Sequence, residues 1–428
     1  MTLMPVRRVM VLRAARLSRG WPLLLLIGVL AGCGGVPTSE PASIPTPGML
    51  PSPPTASHGV TLMPITPNTA LEFESPSDGW RVVGQGAAQP AGNTPSAALG
   101  LSWPGDSVQR TTDGGSSWTQ SLTEQSGIWG VDFVSSSTGW AVGTTTLYAT
   151  ADGGQSWQLA GEPSSPLVAV DFLDASNGYG ITRVGTLETS ADGGQVWQPS
   201  SFSQPVSSVC FTSSDVGYLA TQLGGFIEAT ANAGKSWTLS YGLPLNIMSS
   251  GAVDTDLACA GSTVWALEDF GSAFGTATAA SYAVARTLDG GATWIMVGNN
   301  IVGSSAEVPG QPIPVAMPTS ILTTGSTSAA LLGYGNSGQT LAIATTSDGG
   351  RHFINVSLPV PSATTSSANP IFQVAIQGFA WPATEDAWIL VGTASPQPGT
   401  YNCAVIESTD GGASWSTVSE QAVAVGAQ

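Results

Sequence analysis

The chain has little charge, and it has few of the side chains on which catalytic and metal chemistry depend. Charged residues make up 9% of its 428 residues, and it holds two histidines and four cysteines. Beyond residue 80 the basic residues stand singly, whereas a nucleic-acid-binding surface needs clustered lysine and arginine to displace counterions from phosphates. The sequence therefore predicts no nucleic-acid partner. A low charge content with a net charge of −17 fits an exported, soluble surface and also suits an acidic habitat.

The scarcity of histidine and cysteine excludes further classes of site. His58 lies in a proline-rich segment and His352 replaces a residue of a repeated turn segment, which leaves almost nothing from which to build a Ser-His-Asp triad or a histidine metal site. There is no C-x-x-C pair, so neither a zinc site nor a redox motif is indicated. The sequence predicts no metal and no cofactor.

Long helical heptads are also missing, and no apolar run beyond the first 32 residues is long enough to cross a membrane. Glycine, by contrast, is frequent, with 53 residues, and serine and threonine are abundant. This composition favours short strands joined by tight turns over helices.

The first 32 residues are predicted to be an export signal. Five arginines precede the apolar run "WPLLLLIGVL", which has the length of a signal-peptide core and is too short for a spanning helix. The run ends in "LAGC", Leu30 to Cys33, which resembles the lipobox of bacterial lipoproteins. That resemblance implies cleavage before Cys33 and lipidation of its thiol. The alternative is an ordinary signal peptide followed by a chance cysteine.

Residues 33–58 are predicted to be a tether. This segment has seven prolines, little charge and no apolar periodicity, so it cannot bury a core, and its prolines stiffen it towards an extended form. With a lipid on Cys33, the folded part, residues 59–428, would be extracytoplasmic and anchored to the bacterial cell membrane rather than spanning it.

One eight-residue segment recurs seven times in the folded part. The first four copies are 39 or 40 residues apart, and later spacings widen to between 57 and 62. The copies are "TTDGGSSW" at Thr111, "TADGGQSW" at Thr150, "SADGGQVW" at Ser190, "TANAGKSW" at Thr230, "TLDGGATW" at Thr287, "TSDGGRHF" at Thr346 and "STDGGASW" at Ser408.

A second motif precedes the copies, as in "TGWAVG" and "NGYGIT", and weakens before the fifth and sixth. Each unit therefore contains four short strands with period-2 alternation. Such units bury both sheet faces only by packing around an axis, so the sequence predicts an all-β, seven-bladed β-propeller of four-stranded antiparallel blades. Either "GVTLMPIT", residues 59–66, or the tail "AVAVGA" could supply a strand that closes the ring.

The repeated segment has the residues of a tight turn. Its carboxylate can accept hydrogen bonds from nearby backbone N–H groups, and its two glycines allow positive φ. Its last residue is an aromatic that can bury its ring between blades. The central residues are Asp113, Asp152, Asp192, Asn232, Asp289, Asp348 and Asp410. The aromatics are Trp118, Trp157, Trp197, Trp237, Trp294, Phe353 and Trp415.

The pattern [ST]-x-[DN]-x-G-x-x-[WF] resembles the Asp-box, or BNR repeat. Because a catalytic residue is needed at one place and seven copies point to seven places, we interpret the Asp-box as structural. Together with the "GW-aV-G" motif, it makes residues 70 to 418 resemble the photosystem II stability/assembly factor family. That resemblance implies a seven-bladed propeller that binds partner proteins. The chain lacks the basic residues of an arginine-rich docking face.

Three cysteines follow Cys33 in the chain. Cys210 and Cys259 lie at similar points of successive repeats, and we expect a disulfide between them in an exported protein. Three free buried thiols, with Cys403 as the third, are the alternative.

A carbohydrate-active hydrolase is the alternative function, since sialidases and some xyloglucan-cleaving glycosidases also carry Asp-boxes. A sialidase needs three converging arginines, but Arg110 and Arg286 occupy equivalent points of different repeats. A glycosidase needs two carboxylates flanking a sugar bond. The candidates by composition are Glu268 and Asp269, and Glu385 and Asp386, which are better explained as solvated turn residues.

The insertions in repeats five to seven are the most informative functional feature. They are "EDFGSAFGTATAASY", "GNNIVGSSAEVPGQPIPVAMPTS" and "GTASPQPGTYN". Insertions in repeat proteins often lie in loops on the binding face. The sequence thus predicts a non-catalytic binding or assembly platform, with an unidentified protein partner, or a glycan in the alternative, at the loops of blades 5–7. No catalytic residue is assigned.

Overall fold

A computed structural model describes residues 70–84, 105–200, 202, 204–221, 225–242, 254–269, 281–300, 313–323, 325–335, 341–359, 374–381, 385–394 and 400–424. The predicted signal 1–32 with Cys33, the tether 33–58 and the segment 59–66 lie outside the described residues. Within the described residues the regular structure is all β, and no helix there could cross a membrane.

Seven strands near the N-terminus form one antiparallel sheet, called the N-terminal sheet. Its strands are β1 (Leu71–Phe73), β2 (Gly79–Val83), β3 (Gly105–Thr111), β4 (Thr119–Phe133), β5 (Gly139–Gly143), β6 (Leu147–Thr150) and β7 (Gln158–Leu159).

Five four-stranded antiparallel sheets follow, called blades I to V. Blade I has β8 (Leu167–Phe172), β9 (Gly178–Thr182), β10 (Leu187–Ser190) and β11 (Gln198–Pro199); blade II has β12 (Val206–Phe211), β13 (Gly217–Thr221), β14 (Phe226–Thr230) and β15 (Thr238–Gly242). Blade III has β16 (Asp254–Ala260), β17 (Thr263–Asp269), β18 (Tyr282–Thr287) and β19 (Ile295–Asn300). Blade IV has β20 (Met317–Thr323), β21 (Ala329–Tyr334), β22 (Leu341–Thr346) and β23 (Ile354–Val356); blade V has β24 (Val374–Ala380), β25 (Ala387–Ala394), β26 (Thr400–Ser408) and β27 (Ser416–Ala424).

The fold is an all-β propeller with four-stranded antiparallel blades. Five blades are separate sheets, rather than the seven that the repeat count predicts, because β4 joins the first two repeats. The first part of β4 pairs with β3, in register Arg110↔Thr119, and its last part pairs with β5, in register Phe133↔Gly139.

The strand order fixes two ends in every blade. Consecutive strands are antiparallel neighbours, so the connections from strand one to two and from three to four lie at the same end. This is called the box end, because the third-to-fourth turns are the seven repeated segments, called box turns. The second-to-third connection and the link to the next blade lie at the opposite end, called the link end.

Contacts between successive sheets run around the whole ring. Trp140 of the N-terminal sheet stacks on Phe172 of blade I, with ring centroids 3.5 Å apart. At the other side, Trp388 of blade V stacks on Phe73 at 4.1 Å, so the last blade packs against the first strands of the chain. The tail residues 422–424 pair with β26 inside blade V, in register Asn402↔Ala422.

Aromatic rings form the repeated core between sheets. Between the two halves of the N-terminal sheet, Trp80 stacks on Phe133 at 3.5 Å, and Trp157 meets the same phenylalanine edge-on at 6.0 Å. Trp80 and Phe133 are fully buried. Stacked and edge-on pairs of this kind contribute about 0.5–1.5 kcal/mol beyond the burial of their area.

Candidate functional site

The seven box turns share three hydrogen bonds, from the first Ser or Thr hydroxyl and the backbone N four residues after the central residue to that residue's Oδ1, and from the second glycine N (Gly234 in the fourth copy) to that hydroxyl; the first copy shows them and adds a serine hydroxyl bond. Asp113 Oδ1 accepts from Thr111 Oγ1 at 2.7 Å and from the Ser117 backbone N at 2.8 Å. Asp113 Oδ2 accepts from Ser117 Oγ at 2.6 Å, and Thr111 Oγ1 accepts from Gly115 N at 2.9 Å. Both oxygens of the carboxylate therefore accept hydrogen bonds inside the turn.

The hydrogen bonds in the turn favour the ionised carboxylate. The serine or threonine side chain four residues on, followed by its backbone N–H, lowers the pKa of Asp152, Asp289 and Asp410 to about 2. Asn232 accepts from Ser236 N at 2.9 Å through its amide oxygen and donates to Ser236 Oγ at 2.8 Å. The turn therefore needs the hydrogen bonds and not the charge.

The second motif contacts the box turn of the following repeat. Trp80 Nε1 donates to Gly153 O at 3.0 Å, and Trp140 Nε1 donates to Gly193 O at 3.0 Å. Across the junction of blade V and the N-terminal sheet, Trp388 Nε1 donates to Gly114 O at 3.2 Å. At these three junctions one motif supplies the donor and the other the acceptor of the same contact between sheets.

Buried polar groups join the innermost strands, and sequence reasoning missed them. Phe133 N donates to Glu72 Oε2 at 2.8 Å, and Phe172 N donates to Asp132 Oδ2 at 2.7 Å. Ile321 N of blade IV donates to an Asp256 carboxylate oxygen of blade III at 3.0 Å. The sequence pattern that could have predicted these bonds is a carboxylate directly before the phenylalanine of a strand, as in "LEF" and "VDF".

A disulfide occupies the same strand position between blades II and III. Cys210 precedes Phe211 as Asp132 precedes Phe133, and it is bonded to Cys259 with a Cα–Cα distance of 6.0 Å. Both cysteines are fully buried. Cys403 is a buried free cysteine, and burial raises its pKa to about 11.

The arginines are used inside separate sheets. Arg110 Nη2 lies 3.5 Å from Asp78 Oδ1, whereas Arg286 Nη1 of blade III donates to Ser326 O of blade IV at 3.3 Å. Arg81 is fully buried and donates to Gln421 Oε1 at 2.6 Å. Arg110 and Arg286 therefore serve different sheet contacts, which is not the convergent arrangement that a sialidase needs.

The structure separates the two candidate carboxylate pairs. Glu268 and Asp269 end β17 at the link end of blade III, whereas Glu385 and Asp386 lie in the β24–β25 connection at the box end of blade V. They are on different blades and at opposite ends, so they cannot flank one glycosidic bond.

A tyrosine–carboxylate contact lies between the two halves of the N-terminal sheet, and no sequence pattern marked it. Tyr148 Oη donates to Glu124, which also accepts from Ser126 N at 3.0 Å. Burial raises the pKa of Tyr148, and the hydrogen bond from Tyr148 lowers the pKa of Glu124. Glu124 therefore stays an ionised acceptor.

His352 stands in the sixth box turn. Its Nδ1 lies 2.6 Å from Asp348 Oδ2 on the exposed surface, and this contact holds the pKa of Asp348 well below its usual range. Within the described residues, no group of three or more histidine, cysteine or acidic side chains is placed to hold a metal ion.

The connections differ strongly between the two ends of the blades. Among the described strands, none of the box-end connections is longer than the box turn itself. All the longest connections are at the link end: 84–104, 243–253, 270–281, 301–316 and 357–373. The sequence predicted 270–281 and 301–316 as insertions but did not predict the other three. The third predicted insertion corresponds to the short connection 395–399.

One predicted insertion is partly structural. Tyr282 Oη donates to Val315 O at 2.8 Å, and both Ile313 and Val315 are buried against blades III and IV. The residues of this connection that precede 313 lie outside the described residues, as do most residues of the other long connections.

Comparisons with known proteins find solved structures that are similar to this chain at low identity. No family model matches the chain, and no curated protein matches its sequence. A structure of YCF48 bound to D1 peptide is 16% identical over 76% of this chain and 91% of that one, with a TM-score of 0.47. A GH74 enzyme from Niastella koreensis is 11% identical over 79% of this chain and 64% of that one, with a TM-score of 0.47. The N-terminal domain of Nup159 is 10% identical over 82% of this chain and 96% of that one, with a TM-score of 0.40. Similarity at this level identifies no activity, and the chain is similar to YCF48, to a GH74 enzyme and to the N-terminal domain of Nup159 alike.

Proposed function

We propose that the protein is a membrane-tethered, extracytoplasmic β-propeller of seven Asp-box blades that serves as a non-catalytic platform for a partner protein. The partner binds at the link end, on the loops of blades III to V, which hold repeats five to seven. The observation that carries this proposal is the uneven length of the connections at the two ends of the blades.

The bend of the N-terminal sheet supports the proposed number of blades. In a flat sheet, β2 and β6 would be separated by about 19 Å, because neighbouring strands lie about 4.8 Å apart. Trp80 on β2 instead donates to Gly153 O, directly after β6, at 3.0 Å. The sheet therefore folds back at β4, where Gly127 has a φ of 104°. This bend supports the proposal that its two halves are two blades, which with blades I to V would make seven.

The box end is an unsuitable binding face, because its polar groups are already bonded. The box carboxylates accept bonds inside their own turns, and the glycine carbonyls accept tryptophan N–H groups from the preceding repeat. The link end carries every long connection, and loops held by a rigid scaffold are where proteins commonly bind partners.

The tether and lipid on Cys33 remain proposals from the sequence. A lipid on Cys33 and a proline-rich segment of 26 residues would place the ring near the membrane with freedom to reorient. A disulfide between buried cysteines is consistent with export to an oxidising compartment.

The test is a crosslinking pull-down of the lipidated protein from its native membrane. In one variant, 303–311 is replaced by an equal number of glycine and serine residues, which spares the buried Ile313 and Val315. We expect that variant to lose its partner while its melting temperature stays unchanged. The control variant Lys235→Ser changes an exposed residue of a box turn and should keep the partner. An unchanged pull-down after replacing 303–311, 271–280 and 361–370 together would refute the proposal.

A carbohydrate-active hydrolase is the second candidate. One observation favours it: Glu268 is a fully buried carboxyl whose pKa burial raises well above its usual range, as the general acid of a glycosidase requires. Asp269, the next residue along the strand, projects to the opposite face of the sheet and does not form a pair with it. A glycan screen that detects hydrolysis by the wild type, but not by Glu268→Gln, would establish this function instead.

A further inference from the structure

Glu268 is a buried carboxyl without a hydrogen-bond partner. It is the second-last residue of β17, its side chain is fully buried, and neither carboxyl oxygen has a hydrogen-bond partner among the residues that the structure describes. Its register neighbour on β16 is Thr255, whose Oγ1 is also buried and unpartnered. Neighbours in register project to the same face of a sheet, so two unsatisfied polar groups lie side by side.

This face of blade III packs against blade II. Val264 and Ala266, which alternate with Glu268 along β17, belong to the same apolar cluster as Ala220 and Ile227 of blade II. Tyr241 of β15 packs against that cluster as well. The negative charge of an ionised Glu268 would further raise the pKa of Tyr241, which burial already raises. Glu268 therefore lies in the interface between blades II and III.

The other ionisable groups on the strands of blade III face away from this interface. Asp256 bonds Ile321 N of blade IV, Arg286 bonds Ser326 O of blade IV, and Tyr282 bonds Val315 O. Asp269 follows Glu268 and so projects to the blade IV side. On the blade II side, Glu228 alternates with Ile227 and Ala229, which pack in this interface, so its side chain projects away from it. Tyr218 of blade II also lies in the interface, and its pKa is raised by burial and by Asp289 of the box turn of blade III.

Tyr241 is thus the ionisable group that faces Glu268 across the interface. In the part of the chain that the structure describes, no lysine, arginine or histidine bonds to Glu268. An ionised carboxylate here would have neither water nor a cation to stabilise it, and burial accordingly raises the pKa of Glu268 well above its usual value.

We propose that Glu268 is held as a neutral carboxylic acid between blades II and III, so that this interface is tightest in acid and loosens as the pH rises. The contact between these two blades would therefore depend on pH, which is consistent with the low charge content of the chain. This inference does not depend on the proposed partner binding.

The direction of the effect follows from proton linkage. Below the ordinary pKa of glutamic acid, the carboxyl is protonated in both the closed and the open interface, and the pH has no effect through it. Above that value the open state releases the proton and the closed state retains it. The opening equilibrium therefore increases by up to about tenfold per pH unit, until the pKa of the closed state is reached.

The disulfide provides a local measurement, because Cys210 and Cys259 are buried in this same interface. A reductant reaches the disulfide only when blades II and III separate. We would measure the rate of disulfide reduction in the full-length protein by a phosphine reductant from pH 4 to pH 8. The comparison is with Glu268→Gln, which keeps the shape of the side chain and cannot ionise. Dividing the two rates at each pH removes the pH dependence of the reagent.

We expect the ratio of wild-type to Glu268→Gln rates to increase by at least tenfold between pH 4 and pH 8. The matched control Glu385→Gln changes an exposed glutamate of blade V, and its ratio to wild type should stay flat. A ratio for Glu268→Gln that is flat over the same range would overturn the proposal.

A second measurement covers the case in which Glu268→Gln fails to fold. The infrared difference spectrum of wild type against Glu268→Met, taken at pH 7, should contain the carbonyl band of a protonated carboxylic acid. Only the ionised carboxylate bands in that difference spectrum would show that Glu268 is charged, which would refute the proposal.

Discussion

The tryptophan contacts between sheets give a prediction whose magnitude can be worked from the structure. Trp80 and Trp265 occupy the same strand-two position, in register with Arg110 and Arg286 respectively. Both indoles are fully buried, and each lies under the guanidinium of its register partner, at 5.9 and 5.2 Å. Trp80 Nε1 donates to Gly153 O, whereas Trp265 Nε1 is buried without a partner.

Replacing each tryptophan with phenylalanine separates the hydrogen bond from the packing. Both substitutions remove the same volume, so the loss of packing is similar and largely cancels in the comparison. Trp80→Phe also breaks a bond worth about 0.5–1.5 kcal/mol and leaves a buried carbonyl without its donor. Trp265→Phe removes an unsatisfied N–H whose burial costs about 1–3 kcal/mol. We therefore expect Trp80→Phe to be more destabilising than Trp265→Phe by about 2–4 kcal/mol.

The assay is equilibrium unfolding in guanidinium chloride, followed by far-UV circular dichroism because the substitutions change the fluorescence. Unchanged slopes would show that the variants unfold by the same transition as the wild type. Trp140→Phe is the replicate, since its indole donates to Gly193 O at 3.0 Å. Equal losses of stability for Trp80→Phe and Trp265→Phe, within about 0.5 kcal/mol, would refute the role given to the indole bond.

Three further predictions concern the box turns and the disulfide. Asp113→Asn should melt close to the wild type, because the fourth copy already carries Asn. Asp113→Ala should melt at a lower temperature, and its folded fraction should still bind the partner. Loss of binding without loss of stability would contradict a structural role for Asp113. Gly290→Ala should lower the melting temperature less than Gly291→Ala. A Cβ on Gly290 would lie 3.4 Å from its nearest neighbour, whereas one on Gly291 would lie 2.4 Å from a serine oxygen. The reverse order of melting temperatures would refute this packing. Replacing both Cys210 and Cys259 by alanine should cost about 4 kcal/mol in unfolding measurements, given the loop closed by a sequence separation of 49; an unchanged stability would indicate that the two thiols are not joined.

The local part of the fold could be predicted from the sequence, because its causes lie within one repeat. The hydrogen bonds of a box turn run between residues at most four positions apart, as from Ser117 to Asp113, so they leave a fixed pattern of eight letters. The four strands of each unit follow from short alternating runs between such turns.

The contacts between sheets could not be predicted, because donor and acceptor belong to different repeats. Trp80 and Gly153 are 73 residues apart, and nothing in either segment names its partner. The same holds for Glu72 and Phe133, whose backbone N–H is invisible in a sequence pattern. The join of the first two repeats through β4 was missed for a related reason, since a strand that continues past its expected end leaves no turn residues to mark it.

The candidate site was only partly predictable, because the burial of a side chain depends on residues that are remote in the chain. The sequence favoured a solvated turn residue at Glu268, and that prediction was wrong, because the side chain is fully buried. Its burial is decided by Tyr241 and Ile227 of the neighbouring blade, which are remote from it in the chain. The strand order was needed to show that the long connections lie at the link end.

The change in repeat spacing after residue 240 coincides with a change in how the sheets are joined. Before it, and again between blades III and IV, the innermost strands are linked by carboxylates that accept a backbone N–H, as Glu72, Asp132 and Asp256 do. At the junction of blades II and III, a disulfide takes that position, and the same interface contains the unpartnered Glu268. A covalent bond holds two blades together even when a neighbouring carboxyl opposes their contact, so it lets the interface respond to pH without the ring coming apart. The long connections 243–253 and 270–281 leave from the link end of this same junction. A change in the tightness of the interface would therefore reach the proposed binding loops directly, and we expect the affinity for the partner to follow the same pH range as the reduction of the disulfide.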